Sequence, residues 1–343
     1  ARETEKGLPR AIVCAAPLDV GPLLRTHVFD PMKTTVLASA TLTVGGSFSH
    51  YLGRHGLAAP AGRSTVAVHP HDVEAIDVDP DAEVPAGGFP KVHTESFPSP
   101  FDYARQALLV LPKDGPVPGH PGYEDYVARA TAAALYVAEG GAFVLCTSYR
   151  MIDVLHARSR EVLGDDVLLL RQGEMGRSRL LQRFREAGNA ILFGTDSFWE
   201  GVSVKGRALR LVVIPRLPFR VPTEPVQQAR HQLLEEQGRD PFRHYALPQA
   251  VLRLRQGAGR LVRTTTDRGI VMVLDQRMHD RWYGRTFIRS LPPMQRATGD
   301  TRTLLQAMRA FYREGPLPEA PADATPPPTP ARRTSAWPGP EDE

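Results

Sequence analysis

Residues 142–195 read AFVLCTSYRMIDVLHARSREVLGDDVLLLRQGEMGRSRLLQRFREAGNAILFGT, and this pattern decides the fold. Three apolar runs of strand length, AFVLCTS (142–148), DVLLLRQ (166–172) and NAILFGT (189–195), alternate with two segments of helical periodicity, Met151–Leu163 and Ser178–Glu186. A strand wetted on one face would alternate apolar and polar residues; these runs are continuous instead. Continuous apolar strands joined by helices predict a parallel sheet, because each parallel crossover lays a helix over one face. Working outward, Tyr126–Glu139 has helical spacing, and LRLVVIP (209–215) and GIVMVLD (269–275) supply further buried strands. The expected class is α/β, with helices on both faces. Ligands of such sheets sit at the carboxyl ends of the strands, and there the polar strings fall, after CTSY, FGT and TTVLASAT.

The chain has 343 residues, 42% hydrophobic and 23% charged, enough for roughly two domains. Its two cysteines, Cys14 and Cys146, lie in apolar runs. That excludes a disulfide-stapled scaffold and a four-ligand metal site, and suits buried strands in a reducing, cytoplasmic compartment. No run approaches about 18 apolar residues and ARETEKGLPR lacks a hydrophobic signal core, so no membrane partner is expected. The chain begins with Ala, which allows for a piece of a longer protein. Residues 251–290 carry nine arginines against three aspartates, a local excess of +6 where the whole chain has +4. Such a segment suits a polyanion or a solvated basic face. Eleven of the 32 prolines fall in 58–122 and nine in 315–343, marking a linker and a disordered acidic tail.

Pro248–Arg263, PQAVLRLRQGAGRLVR, carries the most chemistry. On a helical wheel Val251, Leu254, Ala258 and Leu261 form one stripe, with Gln256, Arg260 and Arg263 opposite. Gly257 and Gly259 would each cost about 1 kcal/mol in a helix interior, so something must approach the backbone closely there. Phosphate is the candidate, since forked guanidinium groups match its oxygens and stabilise charge on a transferring phosphoryl group. An amphipathic surface helix with incidental arginines is the competing reading. Trp199 suits either base stacking or core packing. His69-Pro70-His71 lacks further ligands at zinc spacing, so no metal site is assigned.

QGAGRLVR resembles motif VI of the superfamily 2 helicases, and other motifs follow in that family's order. Ser39-Ala40-Thr41 resembles motif III, Thr147-Ser148-Tyr149 motif IV, and GTDSFWEGV (194–202) motif V. The stretches SPFDYARQALLVLP (99–112), RLPFRVPTEPVQQAR (216–230) and LDQRMHDRWYGRTFIRSLPP (274–293) narrow the resemblance to the DinG branch of the XPD-like DNA helicases, over about residues 10–293. The resemblance implies two RecA-like lobes that close on ATP and magnesium and move 5′ to 3′ on single-stranded DNA, in DNA repair or replication. It places the end of the first lobe in 1–60, a Pro-rich linker in 61–114, the second lobe in 115–300, and a short helix with the tail in 301–343.

By the same resemblance, Arg260 and Arg263 would reach the γ-phosphate with Gln256 positioning them. Gly257, Gly259, Glu200, Gly201 and Ser203 would lie beside the nucleotide, and Ser39, Thr41, Ser148, Tyr149 and Thr195 would serve the DNA strand. Ser203 stands where the family commonly has an acid, leaving a hydroxyl for a single hydrogen bond. The chain has no G-x-x-x-x-G-K-[ST] loop, no Gly-Lys dipeptide and no D-E-x-H box. Those elements, and the cysteines of any iron–sulfur cluster, belong to the family's first lobe, so a missing N-terminal half is the expected partner. A non-enzymatic nucleic-acid-binding or regulatory module on a helicase scaffold, and a DinG-type exonuclease with its nuclease domain upstream, are the alternatives.

Overall fold

The computed structural model describes residues 2–5, 8–11, 15–57, 91–199, 208–220 and 224–314. An antiparallel ribbon, β1 (Arg2–Glu5) with β2 (Leu8–Ala11), comes first. α1 (Gly21–Leu24) and α2 (Ser49–Arg54) then gather around Phe29, Leu52 and Leu57. α3 (Tyr103–Gln106) runs straight into β3 (Ala107–Pro112), followed by α4 (Tyr123–Ala138), β4 (Ala142–Leu145), α5 (Tyr149–Leu163), β5 (Leu169–Arg171), α6 (Arg177–Ala187) and β6 (Ile191–Gly194). The chain continues through α7 (Asp196–Trp199), β7 (Leu211–Ile214), α8 (Pro225–Glu236), α9 (Leu247–Ala258), β8 (Gly269–Val273), α10 (Arg277–Asp280), α11 (Gly284–Ser290), β9 (Gln295–Gly299) and α12 (Thr301–Arg313).

β3 to β9 form one seven-stranded sheet in the order β5-β6-β4-β7-β8-β3-β9, with every neighbouring pair parallel. The strands are apolar at consecutive positions because both faces are buried. Phe143, Leu145, Leu192, Val212 and Val271 point to one face, where they meet Leu180 and Phe184 of α6, Val251 and Leu254 of α9, and Phe287 of α11. Val144, Ile191, Phe193, Val213 and Ile270 point to the other, against Val127 and Leu135 of α4, Ile152 and Leu155 of α5, and Met308 and Phe311 of α12. This is the doubly covered α/β sheet that the apolar runs predict.

Three departures have simple causes. Ala107–Pro112, assigned to the linker by its proline-rich surroundings, is a fully buried strand paired on both sides, by β8 and β9. β9 has the polar sequence QRATG and escapes an apolar-run reading because it is an exposed edge. α12, set apart with the tail, packs Leu304, Met308 and Phe311 into the second face of the core. The tail beyond Glu314 and the His69-Pro70-His71 string lie outside the described residues. Among the described residues no helix is long and apolar enough to cross a membrane.

If α12 belongs to the sheet domain, Met308→Ala should destabilise the chain by about 2–5 kcal/mol, the usual cost of truncating a core Met. Urea denaturation followed by circular dichroism measures this; a loss under about 0.5 kcal/mol would place the helix outside the domain.

Candidate functional site

The carboxyl ends of β4, β5 and β6 lie side by side, and one side chain joins them. Gln172, the first residue after β5, accepts hydrogen bonds at Oε1 from the Thr195 amide (2.7 Å) and the Thr195 hydroxyl (3.0 Å), and donates from Nε2 to the Tyr149 hydroxyl (2.7 Å). Its own amide donates to Phe193 O at 2.9 Å, which fixes the side chain over the ends of three strands. Ser148 is the N-cap of α5, accepting from the Met151 amide at 3.2 Å. Its lone pair satisfies a helix end while the hydroxyl proton can still be donated. Tyr149 is 56% exposed, so the ring stands out from this polar edge. Gln172 was not singled out in the sequence, where it ends an apolar run; its position at a strand end was the available signal.

Trp199 decides how the rest is held. Its indole is buried at 1% exposure and donates from Nε1 to Cys146 O at 3.4 Å, so it is a core residue and not a stacking surface. The indole also explains Gly257. A Cβ there would stand 2.8 Å from Trp199 Cε3 and 3.0 Å from Leu145 Cδ1, so the close approach inferred from this glycine is made by the tryptophan and not by phosphate. Gly259 is the C-cap of α9, which ends at Ala258. Arg260 and Arg263 therefore lie beyond the helix, in the loop toward β8, and not on a helical face with Gln256. The apolar stripe is as expected, with Val251, Leu254, Ala258 and Leu261 all buried. Gln256 is half-buried on the last turn of α9.

The loop after α9 is shaped by polar contacts. Arg260 donates from Nε (3.0 Å) and Nη2 (2.7 Å) to the carbonyl of Trp199, clamping the chain that leaves α7. Buried Asp267 accepts from the amides of Arg263 (2.7 Å) and Thr264 (2.8 Å), turning the loop back toward β8. Buried Gln106 donates to Thr264 O and Asp267 O at 2.8 and 2.9 Å, locking the loop to α3. Burial raises the Tyr103 phenol above its usual pKa, opposed by its bond with Ser99 and by the charges of Arg263 and Arg255. Asp267 sits in no motif, and Gln106, although inside the stretch 99–112, has nothing in the sequence to set it apart from its neighbours.

The N-terminal segment meets α9 and α11. Arg255 donates to Thr43 Oγ1 at 2.9 Å, and the Gly45 amide donates to Ser290 Oγ at 2.7 Å. Ser39 and Thr41 are not part of that contact. They form an exposed turn in which the Thr41 amide donates to Ser39 Oγ at 3.3 Å. Glu200, Gly201 and Ser203 lie outside the described residues. Among the described residues no three His, Cys, Asp or Glu gather where a metal ion could be held.

The site is thus a parallel sheet with a polar carboxyl edge and an arginine loop held by buried polar groups. Residues 132–294 match the helicase C-terminal domain family. The chain is 42% identical over 222 residues to the ATP-dependent DNA helicase YoaA of Escherichia coli K12, an alignment covering 65% of this chain and 34% of that protein. It is 36% identical to the ATP-dependent helicase DinG of Mycobacterium tuberculosis (85% and 40% covered) and 34% identical to the 3′-5′ exonuclease DinG of Bacillus subtilis (84% and 28% covered). Most of the chain is thus similar to the DinG and YoaA proteins, and it spans between about a quarter and two fifths of the length of these relatives.

Two substitutions test this geometry. Gly257→Ala should gain up to about 1 kcal/mol of helix propensity but lose about 1–3 kcal/mol by overpacking against a rigid indole, a net destabilisation in thermal melts. An unchanged or raised melting temperature would remove the Trp199 contact as the reason for this glycine. Asp267→Ala leaves two amides without their acceptor and should cost about 2–3 kcal/mol in urea denaturation; a loss below about 0.5 kcal/mol would show that the loop is held by other means.

Proposed function

We propose that this chain forms the second lobe, with part of the first, of an ATP-dependent DNA helicase that moves 5′ to 3′ along single-stranded DNA. The observation that carries this reading is the Gln172 bridge. It presents Tyr149 and Thr195, from two different strand ends, as one polar edge, and that edge is tied through Trp199 to the arginine loop. Backbone phosphates would be met by Ser148 and Tyr149, which offer hydroxyl protons without reading base identity, while Thr195 spends its proton on Gln172 and holds the edge in place. Arg263, on a backbone fixed by Asp267 and Gln106, would act on the charge that develops on the transferring phosphoryl group. Arg260 would couple the two halves of the site, since its guanidinium holds the chain leaving Trp199.

ATP and magnesium are the implied partners. The arginine loop fits a phosphate group, being cationic and held at the backbone. The metal finds no donor set among the described residues, and two cysteines are too few to ligate an iron–sulfur cluster. A phosphate loop of the kind helicases carry would supply the remaining nucleotide contacts.

Residues 1–343 alone are expected to show no steady ATP turnover, and turnover unaffected by Arg263→Ala would contradict the assignment of the arginine loop. In a protein that also carries the phosphate loop, Arg263→Lys should lower the ATPase rate by orders of magnitude with little change in melting temperature, because an ammonium cannot reproduce the guanidinium fork. Near-wild-type ATPase in that variant would sink the assignment.

A further inference from the structure

A second cationic feature lies away from the arginine loop. A cavity of about 360 Å³ opens between the α1–α2 region and α8, with Arg54, Arg230, Arg239 and Arg243 in its wall. Asp19 is its one lining carboxylate, and it already accepts from the Gly21 amide at 2.9 Å. Asp240 lies 3.5 Å from Arg243, but both side chains are well exposed and the pair is weakened by solvent. Three of these guanidiniums, those of Arg54, Arg230 and Arg243, rest on aromatic rings. Arg54 and Arg230 both lie over the Tyr245 ring, 5.5 and 5.7 Å from its centroid, and Arg230 also donates to Leu18 O and the Tyr245 hydroxyl. His50, in the same wall, adds no charge near neutral pH, since burial and Arg54 push its pKa down to about 4.

Arg243 connects this cavity to an aromatic surface. Its guanidinium lies 5.1 Å from the centroid of Trp282, which is 53% exposed and supported edge-on by Phe242 and Tyr283. Trp282 lies in the turn between α10 and α11. Four guanidiniums lining one space repel each other unless an anion or water intervenes. An exposed indole flanked by arginine is what a nucleic-acid base stacks on. A small anion would account for the cavity but leave the indole without a use, whereas a strand accounts for both.

We propose that the cavity and Trp282 hold a second stretch of a single nucleic-acid strand, with phosphates against Arg54, Arg230, Arg239 and Arg243 and one base on the open face of Trp282. This rests on the reading of the chain as a strand-gripping lobe, and lengthens the path beyond the Tyr149–Thr195 edge. The binding is sequence-independent, because arginine on phosphate and indole on a base plane carry no hydrogen-bond code.

The test is fluorescence anisotropy of a labelled oligodeoxythymidine, roughly 20 nucleotides long, titrated with residues 1–343. Trp282→Ala should weaken binding about tenfold and Trp282→Phe should keep most of the affinity, since phenylalanine still stacks. Arg54→Ala with Arg239→Ala should lower the salt dependence by about two counterions. Melting curves on each sample separate loss of contact from loss of fold, and Arg239 is exposed enough to be altered safely. Full competition by inorganic pyrophosphate, or by poly-glutamate at the same charge concentration, would overturn the proposal in favour of a small anion or an acidic protein. Loss of binding in Tyr149→Ala with no effect of the Trp282 and arginine variants would overturn it while leaving the helicase reading intact. Absence of any strand binding would overturn both.

Discussion

The indole of Trp199, wedged against Gly257 and bonded to the Cys146 carbonyl, is the contact on which the site depends. It brings together the chain leaving β6, the end of β4 and the last turn of α9, three segments far apart in sequence. Arg260 closes the arrangement by binding the Trp199 carbonyl with two donors. A buried ring with little rotational freedom fixes the relative positions of its neighbours to within the tolerance of close packing. Displacement of any one of the three segments must then disturb the other two.

That constraint gives a physical route between the two chemistries proposed for the lobe. The polar edge at Thr195 and Tyr149 leads into the helix that ends at Trp199, and the arginine loop binds the carbonyl of that residue. The edge continues into α7, whose Trp199 carbonyl accepts from Arg260, and the Arg263 backbone three residues on is anchored by Asp267. A helicase needs such a link, because phosphate chemistry and movement on DNA occur at different surfaces. The N-terminal segment joins the same unit through Thr43 and Gly45.

Much of the fold was legible in the sequence because burial on both faces leaves a plain signal: β4, β6, β7 and β8 all lie within continuous apolar runs. β3 was hidden by neighbouring prolines, and β9 by its exposure. In the site, composition identified the arginine segment, and family resemblance identified the strand-end hydroxyls. Both glycines in QGAG suggest close approach in the sequence; at Gly257 what approaches is an indole, whereas Gly259 ends the helix. The sequence did not reveal that α9 stops at Ala258, which places Arg260 and Arg263 in a loop. Gln172, Asp267 and Gln106 carry the polar scaffolding yet look ordinary in the chain, because their importance comes from partners brought near by folding.

Amide hydrogen exchange on a Trp199→Phe variant tests the central claim directly. The substitution removes the indole donor and part of the ring's bulk while keeping an aromatic side chain. If Trp199 unites the site, exchange should accelerate together in residues 146–149, 195–199 and 257–263, while α4 and α12, which pack on the opposite face of the sheet, keep their protection. Acceleration confined to residues 195–199 would contradict the account.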